Sequence, residues 1–323
     1  MTLVDDLSKA TGFSKADVTK ILMTASHRYK VYTVPKRSGR GLRVIEQPAS
    51  EVKLLQRWVT RHIIRELPRH QAVTAYEKGT SIFQNASRHS KNKYLLKLDF
   101  QNFFPSIKAG DFLQHLEKYC HAHYSEVELH LLCRLLFRKA EGELRLTIGA
   151  PSSPAVANTI LFDFDSILSN HCASSNIAYT RYADDLAFSA QSPVPLTEIR
   201  TFAASELRQL DYPKVTINEA KTVLISPKFR RTVTGLVLTT DGQVSLGRER
   251  KREISAGIHR FSLGQLHPEE ASSLKGMLAF AWSVEQGFLH RMVTKYGEET
   301  MSRLFPKALS LCARSNGTGE DGQ

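Results

Sequence analysis

What this chain lacks narrows it first. Its 323 residues contain no run of about 18 apolar side chains, the length a helix needs to cross a bilayer. Its opening residues, MTLVDDLSKATGFSKADV, do not have the basic-then-apolar layout of a secretory leader. There are only 4 cysteines (Cys120, Cys133, Cys172 and Cys312), none in a C-x-x-C pair, so neither a zinc signature nor a disulfide framework is expected. These absences predict a cytoplasmic protein with no membrane contact. Acidic residues are also short: 32 Asp and Glu stand against 44 Lys and Arg, for a net charge of +12. Such an excess is the electrostatic footprint of a nucleic-acid partner. No internal repeat or low-complexity stretch precedes the last residues. At 41% hydrophobic and 24% charged, the composition is that of a globular protein, long enough for two or three sub-domains with cores of their own.

The stretch on which the rest turns is 177–189, IAYTRYADDLAFS. It reads as a β-hairpin, with strands over 177–182 and 185–189 and a turn at Ala183-Asp184. Asp184 and Asp185 are adjacent like charges that must both leave bulk water, which disfavours them. A divalent cation removes that cost, and Mg²⁺ is commonly held by one or two carboxylates plus substrate phosphates. The plain alternative is a solvated Asp-Asp turn. A further acid weighs against it: 94–99, YLLKLD, predicts a strand ending on Asp99, crowded by Phe100, Phe103 and Phe104. An acid at the end of a buried strand needs a positive partner or a metal. If the two strands are neighbours in one sheet, three carboxylates converge, which suits two metal ions about 3.5–4 Å apart.

Elsewhere the pattern predicts mixed helix and strand without βαβ alternation. Two short helices fill 1–30, the second capped by Ser14. Strands at 31–34 and 42–45 flank the loop Lys36-Arg37-Ser38-Gly39-Arg40-Gly41, which is either a solvated turn or a mobile cationic hairpin able to close over a triphosphate. A helix over 50–67 takes Ser50 as its cap, and 81–88 forms a short helix. Residues 111–140 read as helical; His115, His121, His123 and His130 there show no metal-ligand spacing and are assigned structural or solvated roles. A strand at 144–151 runs into a glycine turn, then one helix over 152–168 with Pro154 in its first turn and Ser152 or Ser153 as cap. A helix at 195–210 and strands at 215–217, 223–225, 233–238 and 244–246 follow. Basic helical segments begin at Arg248, with further helices at 268–284 and 289–313, and 315–323 reads as a disordered tail.

Several of these stretches, in this order, resemble the reverse transcriptases, most closely those of bacterial retrons, over roughly 25–260. Tyr182-Ala183-Asp184-Asp185 matches the YxDD box. Leu98-Asp99-Phe100, with Phe103-Phe104-Pro105-Ser106-Ile107, matches the box carrying the first catalytic aspartate. Gly149-Ala150-Pro151-Ser152-Ser153-Pro154, with Ala157-Asn158, matches the box beneath the primer–template and incoming nucleotide. Ile217-Asn218-Glu219-Ala220-Lys221-Thr222 resembles the later box whose lysine faces the triphosphate, and Lys36 and Arg43 fall at the triphosphate-binding cations of the fingers hairpin. Asn85-Ala86-Ser87-Arg88-His89 fits the NAxxH motif of the retron insertion, and Val233-Thr234-Gly235 the VTG motif near the last palm strands. One departure is Ile148, where many relatives carry Gln before the glycine.

The resemblance implies an α+β right-hand polymerase fold: an N-terminal helical segment (1–30), fingers (31–93 with parts of 108–148), a palm whose antiparallel sheet bears the hairpin (94–107 and 149–246), a helical thumb (247–314) and the tail. It implies RNA-directed DNA polymerase activity by two-metal nucleotidyl transfer, with two Mg²⁺ ions (Mn²⁺ substituting) on Asp99, Asp184, Asp185 and the Phe100 carbonyl. Lys36, Arg43, Phe104, Gly149, Ala150 and Lys221 are then nucleotide contacts, Phe104 as the aromatic gate against ribonucleotides. Asn85, Ala86, His89, Val233, Thr234, Gly235, Arg248, Arg250, Lys251 and Arg252 are candidate RNA contacts. The implied partners are deoxynucleoside triphosphates, a cognate structured non-coding RNA that primes from a 2′-hydroxyl, the branched RNA–DNA product and an effector protein in antiphage defence. Two alternatives stay open: a stand-alone or group II intron-type reverse transcriptase, and a scaffold that presents an RNA–DNA hybrid to an effector.

Overall fold

The computed structural model describes residues 2–36, 39, 41–120 and 124–309. Arg37, Ser38 and Arg40 of the cationic loop, His121, His123, Cys312 and the tail lie outside the described residues. The chain divides into two compact units, one formed by residues 1–80 and 94–224, the other by 81–93 and 225–323.

In the first unit, α1 (Leu3–Thr11) opens on a capping box from Thr2, and Ser14 caps α2 (Lys15–Thr24) by accepting from the Asp17 amide. Leu3, Leu7, Val18 and Leu22 carry their apolar faces into the core. β1 (Tyr29–Pro35) and β2 (Leu42–Pro48) form an antiparallel hairpin with Val34 opposite Arg43. In α3 (Ser50–His62) the expected cap is corrected. Ala49 stands at the cap position without a side-chain bond, and the Ser50 hydroxyl donates to Glu51 instead.

α4 (Ile82–Ser90) belongs to the other unit. β3 (Tyr94–Asp99) coincides with the expected strand, and the one-turn α5 (Phe103–Ser106) follows it. The helical stretch expected over 111–140 is two helices, α6 (Ala109–Tyr119) and α7 (Glu126–Leu136), because Ser125 starts a new capping box with Glu128. The chain then turns into a small hairpin, β4 (Arg138–Ala140) with β5 (Glu143–Arg145). The helix expected over 152–168 also divides, into α8 (Ser153–Thr159) and α9 (Phe162–Ser174). Ser152 holds the cap position of α8 but accepts no capping bond; the hydroxyls of Ser152 and Ser153 are buried without a partner.

β6 (Ala178–Tyr182), β7 (Asp185–Ala190) and, after α10 (Val194–Gln209), β8 (Val223–Ile225) complete a four-stranded sheet of order β6-β7-β3-β8. α9 and α10 pack on it. The strand expected at 215–217 is only a bridge, Ile217 pairing with Phe100. Tyr179, Leu186 and Phe188 from the sheet, with Phe164 and Leu168 from α9, lie in the core between the two layers.

In the second unit the strand expected at 233–238 is a tight hairpin, β9 (Arg231–Val233) and β10 (Leu236–Leu238), which pairs on with β11 (Val244–Ser245). Thr234 and Gly235 form its two-residue turn with φ of 47° and 80°, positive at both positions as a type I′ turn requires. α4 packs on these strands, and its Ile82 carbonyl accepts from the Thr234 hydroxyl at 3.3 Å. Helices α11 (Arg248–Ser262), α12 (Pro268–Val284), α13 (Gln286–Tyr296) and α14 (Glu298–Leu304) complete the unit. The helix expected over 289–313 breaks at Gly297, whose φ is 84°. The architecture is α+β, and no helix among the described residues is long and apolar enough to cross a membrane.

Candidate active site

Strand register builds the site. β3 runs antiparallel to β7 with Asp99 directly opposite Asp185. Asp184 occupies the turn between β6 and β7, and its carbonyl accepts the Phe100 amide at 3.1 Å. Like charges directly opposite in a sheet destabilise it. Burial first, and the Asp99 charge second, raise the Asp184 carboxyl above its ordinary value; Asp185 is raised by burial and then by Asp184. The turn is itself strained, since Ala183 has φ of 57° without being glycine. Such a cluster of desolvated, repelling carboxylates is a donor set that a divalent cation fits.

Among the described residues no three His, Cys, Asp or Glu side chains form a ready-made metal cage. The Asp99 carboxylate is bonded instead to the Lys221 ammonium, at 2.8 Å. Lys221 was expected to face a triphosphate; its hydrogen bond to Asp99 raises its pKa and holds it on the acid cluster, with its side chain 60% exposed.

The remaining nucleotide candidates of this unit divide by position. Arg43 is exposed on β2, and its charge reaches Asp184. Lys36 is exposed at the end of the hairpin, its amide bonded to the Gly41 carbonyl at 3.0 Å. Phe104 is half-buried, its ring 5.6 Å from that of Phe103. Ala150 is buried. The backbone at 148–149 braces the β1–β2 hairpin: the Glu46 amide donates to the Ile148 carbonyl at 2.8 Å, and Gly149 has φ of 127°. A Cβ on Gly149 would lie 2.9 Å from the Glu46 carbonyl oxygen. Gly149→Ala therefore forces backbone apart at an unfavourable φ. We expect it to destabilise the chain by roughly 1–3 kcal/mol, measured as a lower denaturation midpoint, and to slow synthesis.

Sequence reasoning missed the group that holds the turn. Arg181 and Asp165 are both fully buried. Arg181 binds Asp165 through Nε (2.9 and 3.0 Å) and Nη2 (2.6 Å), and Tyr179 donates to the same carboxylate at 2.7 Å. The guanidinium also donates to the Asn158 carbonyl at 3.0 Å and the Ala183 carbonyl at 3.3 Å. One side chain thus ties α8, α9 and the aspartate turn together. The signal was there: an arginine inside an apolar strand and an acid inside LFDFDSIL are buried charges, and buried charges come in pairs.

The RNA candidates divide by exposure. Asn85, Ala86, His89 and Val233 are buried. Burial first, and the Arg88 charge second, push the His89 imidazole down to about 3, so it is neutral in the folded state. The two motifs nonetheless belong together, since α4 carries NAxxH and packs on the strands that present Thr234-Gly235. Arg231 joins them by donating to the Asn92, Lys93 and Thr239 carbonyls. On α11, Arg248 and Arg252 are exposed. Lys251 is paired with Glu285 at 2.6 Å, and Arg250 stacks 5.0 Å over the Phe280 ring, so these two brace the helices.

Residues 34–252 match the family described as reverse transcriptase (RNA-dependent DNA polymerase). A solved apo telomerase from Candida tropicalis shares the fold, with a TM-score of 0.50 at 13% identity over 85% of this chain and 58% of that one. The retron Ec83 reverse transcriptase of Escherichia coli is 37% identical over 284 residues, 87% of this chain and 90% of the relative. The retron Ec86 reverse transcriptase of Escherichia coli is 34% identical over 311 residues, 94% and 93%. The chain belongs to the reverse transcriptase family and, within it, to the bacterial retron reverse transcriptases; it is an RNA-directed DNA polymerase.

Proposed function

We propose that this polymerase copies part of its own structured non-coding RNA into a branched RNA–DNA hybrid, primed from an RNA 2′-hydroxyl, in the cytoplasm and within a retron that acts in antiphage defence with an effector protein. The observation that carries the chemistry is the pairing of Asp99 with Asp185 across the sheet, with Asp184 in the adjoining turn. Asp99 and Asp184, supported by Asp185 and the Phe100 carbonyl, would hold two divalent ions, Mg²⁺ or Mn²⁺. When bound, these supply Lewis-acid polarisation of the attacking hydroxyl and charge neutralisation at the leaving pyrophosphate. In the reaction the hydroxyl oxygen forms a bond to the α-phosphorus of a deoxynucleoside triphosphate, the α–β bridging bond breaks, and the hydroxyl proton passes to solvent. Lys36 and Arg43 neutralise the triphosphate, and the exposed Lys221 ammonium is long enough to turn from Asp99 toward the leaving phosphates. Phe104 under the sugar excludes a 2′-hydroxyl by contact.

For RNA selection, the Thr234-Gly235 turn and the exposed Arg248 and Arg252 present polar backbone and charge, while Asn85, Ala86, His89 and Val233 keep that surface in shape. Such contacts select RNA by shape and 2′-hydroxyls, with a steep salt dependence. Replacing Thr234-Gly235 by Ala-Ala is expected to weaken cognate RNA selection several-fold while extension of a generic primer survives; equal loss of both would mean the turn is only structural.

The deciding experiment expresses the chain with its neighbouring genomic DNA and treats the co-purifying nucleic acid with RNase, DNase and a debranching enzyme. A DNA of discrete length joined to RNA by a debranchable linkage upholds the proposal. No such species, with activity on generic templates, means a stand-alone polymerase.

A further inference from the structure

We infer that Tyr76 is a base-stacking residue of the polymerising centre, a ring held out beside Tyr182 to receive the face of a nucleobase next to the reacting phosphate. The inference rests on Asp99, Asp184 and Asp185 being that centre. Ala72, Val73, Thr74 and Ala75 are all buried, yet Tyr76 immediately after them is 62% exposed. Its φ is 61°, a conformation that bulky side chains rarely adopt. A large ring exposed at a backbone position unfavourable to it contributes little to the core, and such outliers persist where the surroundings over-determine them for a functional purpose.

Here the surroundings do so. The Arg181 amide donates to the Ala72 carbonyl at 2.8 Å, and the Thr74 amide donates to the Arg181 carbonyl at 2.9 Å. The buried Asn158 amide nitrogen donates to the Ala75 carbonyl at 2.8 Å and to Glu77 Oε1 at 2.9 Å, gripping the chain on both sides of Tyr76. The Thr80 hydroxyl lies within bonding distance of the Thr74 and Glu77 carbonyls, 2.9 and 2.8 Å. The loop is thus fastened to β6, which leads into the aspartate turn, and to α8.

The ring's position sets its ligand. Its centroid lies 6.3 Å from that of Tyr182 at an interplanar angle of 36°, so two aromatic rings stand together beside the acids. The charges of Asp184 and Arg43 both reach its hydroxyl. A flat apolar face within reach of the proposed metal-holding acid and the proposed triphosphate cation fits a nucleotide, whose base stacks on aromatic rings regardless of sequence. The base can come from the primer–template or from the incoming triphosphate, and the test separates these.

The full-length chain is compared with Tyr76→Gly and Tyr76→Phe. Glycine removes the ring and also relieves the backbone, so this variant keeps or raises the melting temperature. Primer–template Kd by fluorescence anisotropy and steady-state KM for primer–template and for triphosphate are then measured. Loss of one stacked base is expected to raise Kd and KM for primer–template, or KM for triphosphate, on the order of 10-fold, with Tyr76→Phe restoring the value. The first result assigns the ring to the duplex and the second to the incoming base. A Tyr76→Gly chain with unchanged Kd and both KM values overturns the inference. An Asp184→Ala, Asp185→Ala chain that still synthesises DNA instead removes the aspartates from the centre, and the binding measurement keeps the two failures apart.

Discussion

Replacing Asp184 and Asp185 together with alanine is expected to abolish DNA synthesis, by at least about 10³-fold, while RNA binding persists. The magnitude follows from losing several kcal/mol of transition-state charge stabilisation at about 1.4 kcal/mol per tenfold. The rest follows from position. Asp185 pairs across the sheet with Asp99 and Asp184 lies in the adjoining turn, whereas the basic helix and the Thr234-Gly235 turn belong to the other unit. The fold should not suffer, because the two carboxylates are desolvated and repel each other. Their removal leaves the melting temperature unchanged or higher. Single-nucleotide incorporation, RNA gel shift and thermal unfolding together check the prediction. Residual synthesis near the wild-type rate would remove these acids from the metal assignment.

The largest expected effect on stability comes from Arg181→Met. The substitution leaves the Asp165 carboxylate fully buried without its guanidinium partner, with Tyr179 still donating to it, and it releases the Asn158 and Ala183 carbonyls. Breaking a buried pair from one side costs about 3–5 kcal/mol, because an uncompensated charge remains inside. Chemical denaturation should therefore show a large fall in midpoint, and synthesis should fall further than unfolding alone explains, since the Ala183 turn loses its anchor. Removing both charges, as Arg181→Met with Asp165→Leu, should recover a substantial part of the stability. Arg181→Lys should fall between, because an ammonium cannot reproduce the fork that grips the carboxylate. If the double variant were as unstable as the single one, the cost would lie in lost packing rather than in the stranded charge.

Much of this was legible from local pattern. The strand at Tyr94–Asp99, the hairpin bearing Asp184 and Asp185, and the Ser14 cap follow from alternation, turn placement and capping chemistry, which act over a few residues. The misread elements lie where neighbours decide. Residues 111–140 carry helical periodicity on both sides of the Ser125 capping box, and 152–168 carry it across the junction of α8 and α9. The run at 233–238 alternates like one strand, although Thr234 and Gly235 fold it back on itself. The NAxxH motif reads as a contact surface, but three-dimensional packing puts Asn85 and His89 inside.

The sequence by itself determined the chemistry of this protein: which acids are present, where they fall along strands, the excess of positive charge, and the ordered boxes that mark a reverse transcriptase. Those are properties of residue type and spacing, and they survive without coordinates. Only the tertiary structure decided which groups meet. It set Asp99 opposite Asp185, turned Lys221 onto Asp99, paired Arg181 with Asp165, brought α4 to the Thr234-Gly235 turn and left Tyr76 in the open. Each of these joins residues far apart in the chain or contrasts with buried neighbours. Burial, charge pairing and packing density are properties of a volume, which no window of sequence contains.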